Sequence, residues 1–299
     1  MCTAVGMTGE YPFFGRTLDV DRDFGQRVET LSANSRVEFR HLPPSDSHPA
    51  VLGTAVRVGS TRLFFDGVNE DGLSAAALNF PKYACYHPEK VGARNIASFE
   101  FVTWVLTSCK TVDEAESLLI NANITAEDFS ENMPATSLHW IIADKNRSIT
   151  VESVEEGLKI YDNPVGVLTN APPFPYHLTR LADFMTLSPN PPENSGFPTL
   201  SPEAYSGGMG SMGLPGDYSS VSRFVRAAFV KNHIEKEAGK DKNIVRFFHI
   251  MDSVFVPKGC VKNTQGGLMH TAYTCCIDPA EPAYYYTTYD NRTITKKTF

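Results

Sequence analysis

The sequence has no long apolar run and no concentration of positive charge. No segment approaches the roughly 18 consecutive apolar residues of a membrane-spanning helix, and residues 1–10 contain neither Lys nor Arg. We therefore expect no membrane span, no secretory signal peptide and a cytoplasmic protein. The 34 acidic residues outnumber the 27 basic ones, so the formal net charge is −7 and nucleic-acid binding is not indicated.

Motifs that hold metals, phosphates or dinucleotides are also missing. HExxH, GxxxxGK(S/T) and GxSxG do not occur, and the eight His residues show no metal-ligand spacing. GxGxxG occurs at 208–213, but a Pro- and Ser-rich segment precedes it and Leu-Pro-Gly follows it, so the strand–turn–helix context is absent. The six Cys residues include no CxxC pair, which favours free thiols over disulfides. We expect no metal and no cofactor.

The sequence does contain a strand-rich pattern with a few helices. Hydrophobic residues make up 42% and charged residues 20%, which is enough apolar material for a sizeable core. Short β-rich segments fill residues 1–80, including RVEFRH at 36–41. Helical patterns follow at 98–109 and behind the predicted cap Thr111, and His139 in a later predicted strand is expected to be structural. Further helices and then three strands complete the chain.

This order differs from the strict βαβα alternation of a doubly wound sheet. It predicts an α+β fold in which helices cover the outer faces of antiparallel sheets, and a four-layer αββα sandwich fits the count. Residues 186–217 are rich in Pro, Gly, Ser and Asn. They are interpreted as a surface excursion rather than a linker, because the later strands need partners from the first half. We expect residues 1–299 to form one domain.

A thiol stands at position 2, where its chemistry depends on Met1. If Met1 is removed, Cys2 carries a thiol and a free α-amine on one residue, and an α-amine ordinarily titrates near neutrality. The amine can then act as the base for its own side chain, as in N-terminal threonine nucleophiles. The alternative is an incidental small residue in a frayed terminus. CTAVGM has a strand pattern, however, which would tie this end into a sheet.

Two charged residues follow on the next predicted strand. Arg16 near Cys2 would stabilise the thiolate, and Asp19 would orient the amine. The alternative is an ordinary surface ion pair, which is the usual situation of Arg and Asp.

A series of motifs extends this pattern along the chain. In order they are MCTA, FFGRTLD, NEDGLSAAALNFP, LHWIIAD, YDNPVGVLTN, LPGDYSSVSRFVRAAF and YYYTTYDN. In these motifs the chain closely resembles the choloylglycine hydrolases, which comprise bile salt hydrolases and penicillin V acylases. The family belongs to the N-terminal nucleophile hydrolases, so the resemblance implies an αββα fold, amide hydrolysis and removal of Met1 on maturation.

The resemblance also implies a catalytic set, namely Cys2, Arg16, Asp19, Asn79, Asn170 and Arg223. Within it, Cys2 is the nucleophile that Arg16 and Asp19 support. Asn79 would contribute its backbone N–H and Asn170 its side-chain amide to the oxyanion, while Arg223 would support the polar network. From the residues alone, Asn170 is a turn residue and Arg223 a charge on a helix surface.

The resemblance implies a conjugated bile salt as the small-molecule substrate. Bile salt hydrolases tend to have Asn at position 79, where penicillin V acylases have Tyr. A steroid needs an apolar cleft, and Val20, Phe24 and Phe65 are candidates to line it, although each is equally well an ordinary core residue. The alternatives are penicillin V or acyl-homoserine-lactone acylase activity at the same site, or steroid binding without catalysis. The resemblance further implies a homo-oligomer, specifically a tetramer.

Overall fold

Seventeen strands and five α-helices make up the chain, whose residues 1–299 are all described by a computed structural model. The strands are β1 (Cys2–Gly6), β2 (Phe14–Val20), β3 (Arg27–Leu31), β4 (Val51–Val58), β5 (Thr61–Phe64), β6 (Asp66–Asn69), β7 (Ser74–Asn79), β8 (Arg94–Ala97), β9 (Ala122–Thr125), β10 (Leu138–Ala143), β11 (Ser148–Val154), β12 (Gly157–Asp162), β13 (Val167–Leu168), β14 (Val261–Lys262), β15 (Leu268–Asp278), β16 (Ala283–Thr288) and β17 (Thr295–Lys297). The helices are α1 (Phe101–Ser108), α2 (Val112–Leu119), α3 (Phe174–Arg180), α4 (Ser220–His233) and α5 (Lys240–Asp252).

Two antiparallel sheets contain nearly all of these strands. The first sheet has the order β13-β1-β2-β15-β16-β17, with β14 paired to β15. The second sheet has the order β12-β11-β10-β7-β6-β4-β3, with β5 paired to β4. A small parallel pair, β8 and β9, lies apart from both. The first strand of the chain is therefore an internal strand, because β1 lies between β13 and β2.

The helices cover the outer faces of the two sheets. Buried side chains of α1 and α2 share one hydrophobic cluster with the second sheet, and the Phe101 ring stacks on Trp140 at 4.2 Å. Side chains of α4 and α5 share another cluster with the first sheet, and the edge of Phe247 meets Phe13 at 6.2 Å. This second cluster also holds residues from the inner faces of both sheets. The predicted four-layer αββα sandwich is confirmed.

Most of the local predictions agree with the structure, and one is wrong. Thr111 caps α2 by accepting a hydrogen bond from the Glu114 N–H, and Ser219 caps α4. Residues 36–41 do not form the predicted strand. Val37 makes only an isolated bridge with Ser45, and the N–H of Arg40 donates to a side-chain carboxylate instead of to a neighbouring strand. None of the helices is long and apolar enough to cross a membrane.

The segment at 186–217 is a loop, as predicted. Between α3 and α4 the chain forms only two short 3-10 turns, at Leu181–Phe184 and Met209–Ser211. The GxGxxG match lies on the second turn with no strand before it, so it lacks the geometry of a dinucleotide site.

Close packing of β2 against β15 depends on Gly15. A Cβ atom added there would lie 2.0 Å from the carbonyl oxygen of Cys275, and this backbone atom cannot rotate away. We expect Gly15→Ala to lower the free energy of unfolding by about 3 kcal/mol in urea denaturation, at the upper end of usual overpacking costs. Gly216→Ala is the matched control, because a Cβ at Gly216 meets nothing within 4 Å. An equal decrease in the free energy of unfolding of both variants would contradict the packing explanation.

Candidate active site

Cys2 is the first residue of β1 and is held inside the first sheet. It pairs with Leu18 of β2, and only 3% of the residue is exposed. The β-rich sequence that follows Cys2 forms the predicted strand, so this end of the chain is not frayed. The thiol therefore has a fixed position, as a nucleophile requires.

Met1 extends the strand pairing by one residue. Its ammonium donates to the carbonyl oxygen of Asp19 at 2.7 Å, and the N–H of Asp19 donates to the Met1 carbonyl at 3.0 Å. The nitrogen of Cys2 is consequently an amide N–H, which donates to Oδ1 of Asn170 at 3.0 Å. An amide nitrogen is not a base, but loss of Met1 would leave an amine at the same place.

Arg16 is fully buried beside Cys2. Its Nη1 donates to the carbonyl of Ala77 in β7 at 2.6 Å and to that of Phe65, between β5 and β6, at 3.1 Å. Nη2 has no partner. Burial alone would lower the pKa of Arg16, but interaction with Cys2, Tyr273 and Asp66 raises it above its ordinary value. The guanidinium therefore stays charged and has one donor group to spare.

Asp19 is also fully buried, but its carboxylate does not contact the Cys2 nitrogen in this Met1-bearing chain. Oδ1 accepts from the Thr271 hydroxyl at 2.6 Å and Oδ2 from the Thr17 hydroxyl at 3.3 Å. The predicted contact with the amine is thus replaced by the main-chain pairing of Asp19 with Met1. Thr17 and Thr271 went unidentified in the sequence, although both are polar residues within apolar strands.

Asn170 follows β13 and joins several parts of the site. Its Oδ1 accepts from the N–H of Cys2 and from Nη2 of Arg223, the latter at 2.6 Å. Its Nδ2 donates to the carbonyl of Asn79 at 2.7 Å. A side-chain amide has two N–H groups, so one remains for a further acceptor. Asn170 therefore has an amide N–H available beside Cys2.

Arg223 lies in the first turn of α4 and is fully buried, which corrects the interpretation of a surface charge. Nη1 donates to the carbonyl of Cys2 and to the Thr3 hydroxyl, the latter at 2.6 Å. Burial lowers the pKa of Arg223, while Asp19 and Cys2 act in the opposite direction. Arg223 thus holds both the backbone of Cys2 and the side chain of Asn170.

A buried carboxylate behind Arg16 also went unidentified in the sequence. Asp66 lies 3.9 Å from Nε of Arg16 and accepts hydrogen bonds from the hydroxyls of Tyr273 and Tyr284. Burial raises the pKa of Asp66, and Arg16 and the two tyrosines partly offset that rise. The only signal in the sequence is an Asp inside the apolar stretch FFDGV.

A cleft of about 460 Å³ opens beside Cys2 and is lined mainly by apolar residues. The three lining candidates, Val20, Phe24 and Phe65, all lie on it, and the rings of Phe24 and Phe65 are 6.2 Å apart. Met1 is also part of its wall. The catalytic candidates on the cleft are Cys2, Arg16, Asp19 and Asn79. Asn170 and Arg223 are not among the lining residues, but both are hydrogen-bonded to the backbone of Cys2.

One group of side chains outside the cleft has metal-ligating chemistry. His41, Glu89 and Glu127 bring ligand atoms within 4.8 Å of one another. However, Nδ1 of His41 faces Glu89 and Nε2 faces Glu127. Each ring nitrogen therefore faces its own carboxylate, as in a pair of hydrogen bonds.

Comparisons with known proteins match the chain over nearly its whole length. The family model for linear amide C–N hydrolases, choloylglycine hydrolase family, matches residues 2–299. A bile salt hydrolase/transferase of Lactiplantibacillus plantarum is 42% identical over 98% of this chain and 91% of its own length. A conjugated bile acid hydrolase of Lactobacillus acidophilus is 36% identical over 95% of this chain and 92% of its own.

Solved structures of related enzymes also resemble this chain. A mutant conjugated bile acid hydrolase from Clostridium perfringens superposes with a TM-score of 0.93 at 34% identity, covering 100% of this chain and 92% of that one. A penicillin V acylase from Agrobacterium tumefaciens has a TM-score of 0.79 at 20% identity, covering 99% and 85%, and this likeness concerns the fold alone. The resemblance read from the sequence motifs is confirmed.

Proposed function

This chain belongs to the choloylglycine hydrolase family of linear amide C–N hydrolases, and we propose that it cleaves glycine- or taurine-conjugated bile salts. The observation that carries the proposal is the position of Cys2, at the wall of a largely apolar cleft with its nitrogen bonded to Asn170. The names of the curated relatives supply the substrate class.

The first step of the proposed mechanism creates the base. Removal of Met1 converts the Cys2 nitrogen from an amide into an α-amine, which takes the proton from the Cys2 thiol. The charge of Arg16 stabilises the resulting thiolate, and its free Nη2 is a donor available for that purpose. With Met1 gone, Asp19 loses its main-chain partner and its carboxylate can orient the new amine.

The thiolate then attacks the carbonyl carbon of the substrate amide. As the carbon–sulfur bond forms, the carbonyl electron pair moves to oxygen, where the free N–H of Asn170 and the backbone N–H of Asn79 stabilise it. Collapse of this intermediate breaks the carbon–nitrogen bond, and the ammonium of Cys2 protonates the departing glycine or taurine. Water, deprotonated by the same amine, next attacks the thioester and releases the bile acid and the thiol.

The cleft supports a large apolar acyl group. A volume of about 460 Å³ lies within the usual range for small-molecule sites, and 16 of its 25 lining residues are hydrophobic. Val20, Phe24 and Phe65 would contact the steroid in this proposal. Asn79 at the cleft favours a bile salt over penicillin V.

Parallel assays distinguish the proposed substrates. We expect glycocholate and taurocholate to be hydrolysed with kcat/KM at least about 10-fold above that for penicillin V, because a cleft this apolar gains more from a steroid than from a phenoxyacetyl group. Release of glycine, taurine and 6-aminopenicillanic acid is measured with one enzyme preparation. Rapid penicillin turnover with negligible glycine and taurine release would overturn the proposal.

Three further proposals concern the whole protein. A cytoplasmic location is supported by six free cysteines. A homotetramer is supported by the family resemblance alone. A single domain over residues 1–299 is supported by the continuous match to residues 2–299.

A further inference from the structure

We propose that His139 and His177 are positioning residues that hold Asn170 in place as the oxyanion donor, an inference that rests on the proposed function. Nε2 of His139 lies 3.1 Å from the carbonyl oxygen of Thr169. Nε2 of His177 lies 2.9 Å from the carbonyl oxygen of Asn170. A carbonyl only accepts hydrogen bonds, so Nε2 carries the proton in both rings. Two consecutive carbonyls are thus each held by a fully buried histidine.

Glu152 extends this clamp to the far end of the loop. Its Oε1 lies 3.1 Å from Nδ1 of His139, a contact that needs a proton on one of these two atoms in addition to the proton on Nε2. The carboxylate also accepts the backbone N–H of Phe174 at 3.0 Å. The loop 169–174 is therefore fixed at its start through His139 and at its end by Glu152 directly. His139 and Glu152 belong to β10 and β11 of the second sheet, whereas Asn170 follows a strand of the first sheet.

Aromatic rings fix the planes of both histidines. Phe80 stacks on His139 at 4.3 Å with an interplanar angle of 6°, and Phe224 stacks on His177 at 4.8 Å with an angle of 22°. Burial lowers the pKa of His177 to about 4, partly offset by the Asn170 carbonyl, so this ring is neutral at physiological pH. Neither ring lines the cleft, and neither contacts the position of the substrate.

The remaining backbone contact of Asn170 completes the argument. Its N–H donates to the Ser220 hydroxyl at 2.9 Å, so both peptide groups around its Cα are hydrogen-bonded. With the backbone held, the direction of the side-chain amide is set before substrate arrives. Stabilisation of an oxyanion depends on such preorganisation, and a displacement of a fraction of an ångström weakens it.

The test compares variants of His177 for their effect on the transition state and on the ground state. His177→Leu removes the donor, whereas His177→Gln places an amide N–H close to the former Nε2. We measure kcat and KM with glycocholate, inhibition by the aldehyde of the same acyl group, which forms a tetrahedral adduct on Cys2, and inhibition by the free bile acid. For His177→Leu we expect kcat and aldehyde affinity to fall about 10-fold, with KM and bile-acid affinity within twofold of wild type. His177→Gln should recover most of the loss.

His48→Leu is the matched control, because His48 is also buried with both ring nitrogens on backbone carbonyls and lies outside the cleft. It should lower the melting temperature and leave kcat within twofold. A folded His177→Leu with wild-type kcat and aldehyde affinity would overturn the clamp, as would equal losses of aldehyde and bile-acid affinity.

His139→Gln alters the contact with the Thr169 carbonyl and is tested with the same kinetic and inhibition measurements. If His177→Leu does not fold, the result for His139→Gln tests the proposal. The result that would contradict the proposed function differs from the result that would contradict the clamp. A wild-type protein that binds the aldehyde on Cys2 but cleaves no conjugate would contradict that function, and aldehyde affinities of the variants would still test the clamp.

Discussion

Cys2→Ala is expected to abolish hydrolysis of glycocholate and taurocholate. Removal of the nucleophile from a covalent mechanism typically lowers kcat by about 10⁶-fold, so turnover should fall below detection. The variant should fold normally, because Ala is compatible with the first position of β1 and Cys2 makes its hydrogen bonds through backbone atoms. Release of glycine or taurine is measured together with circular dichroism of the same sample.

Cys260→Ala is the matched control, since Cys260 is an exposed cysteine outside the cleft. It should retain wild-type activity. A second arm uses one polypeptide with a removable N-terminal extension before Cys2, and activity should appear only when protease exposes the Cys2 amine. Turnover by a folded Cys2→Ala sample, or by the uncleaved extended protein, would refute the mechanism.

Asn170→Asp is expected to lower kcat by about 10² to 10³-fold, which is the usual cost of losing one oxyanion donor. The substitution keeps an oxygen for Cys2 and Arg223. It replaces the amide N–H groups by a second oxygen, whose negative charge also opposes an oxyanion, so the loss is at least that of one donor. KM for glycocholate should change little, because the donor acts on charge that develops after binding. Steady-state kinetics at several substrate concentrations separate the two parameters.

Asn163→Ala controls for the loss of a buried asparagine. Asn163 bonds the Thr150 hydroxyl and the Val167 carbonyl, away from the cleft. This variant should lose thermal stability while kcat stays within twofold of wild type. A kcat for Asn170→Asp within threefold of wild type would show that the oxyanion is stabilised elsewhere.

Cys2 can be proposed as the nucleophile from the sequence because the chemistry of this residue is local. A thiol and an α-amine on one residue need no distant partner, and the alternating strand pattern after Cys2 indicates that the position is ordered. The sandwich is likewise predictable, since the order of strand and helix patterns restricts the layers that can pack. Residues 36–41 show the limit of such patterns, because Arg40 bonds a side chain rather than a strand.

The supports of the nucleophile are much harder to predict. Arg223 has the sequence context of an exposed helix residue, and only the packing of α4 against the first sheet shows that it is buried. Asp66 and Glu152 are similar cases, because their partners lie far away in the sequence. Without the family motifs, neither charge periodicity nor spacing distinguishes these residues from solvent-exposed ones.

The position of Met1 affects how the specific activity of a preparation of this protein is interpreted. Its ammonium donates to the Asp19 carbonyl and Met1 forms part of the cleft wall, so a folded chain that keeps Met1 differs from a chain that has lost it by this one residue. In the proposed mechanism, chains that keep Met1 are folded but catalytically inactive. Specific activity then reports the fraction of molecules that an aminopeptidase has trimmed, and two batches with identical spectra and melting curves can differ severalfold in rate.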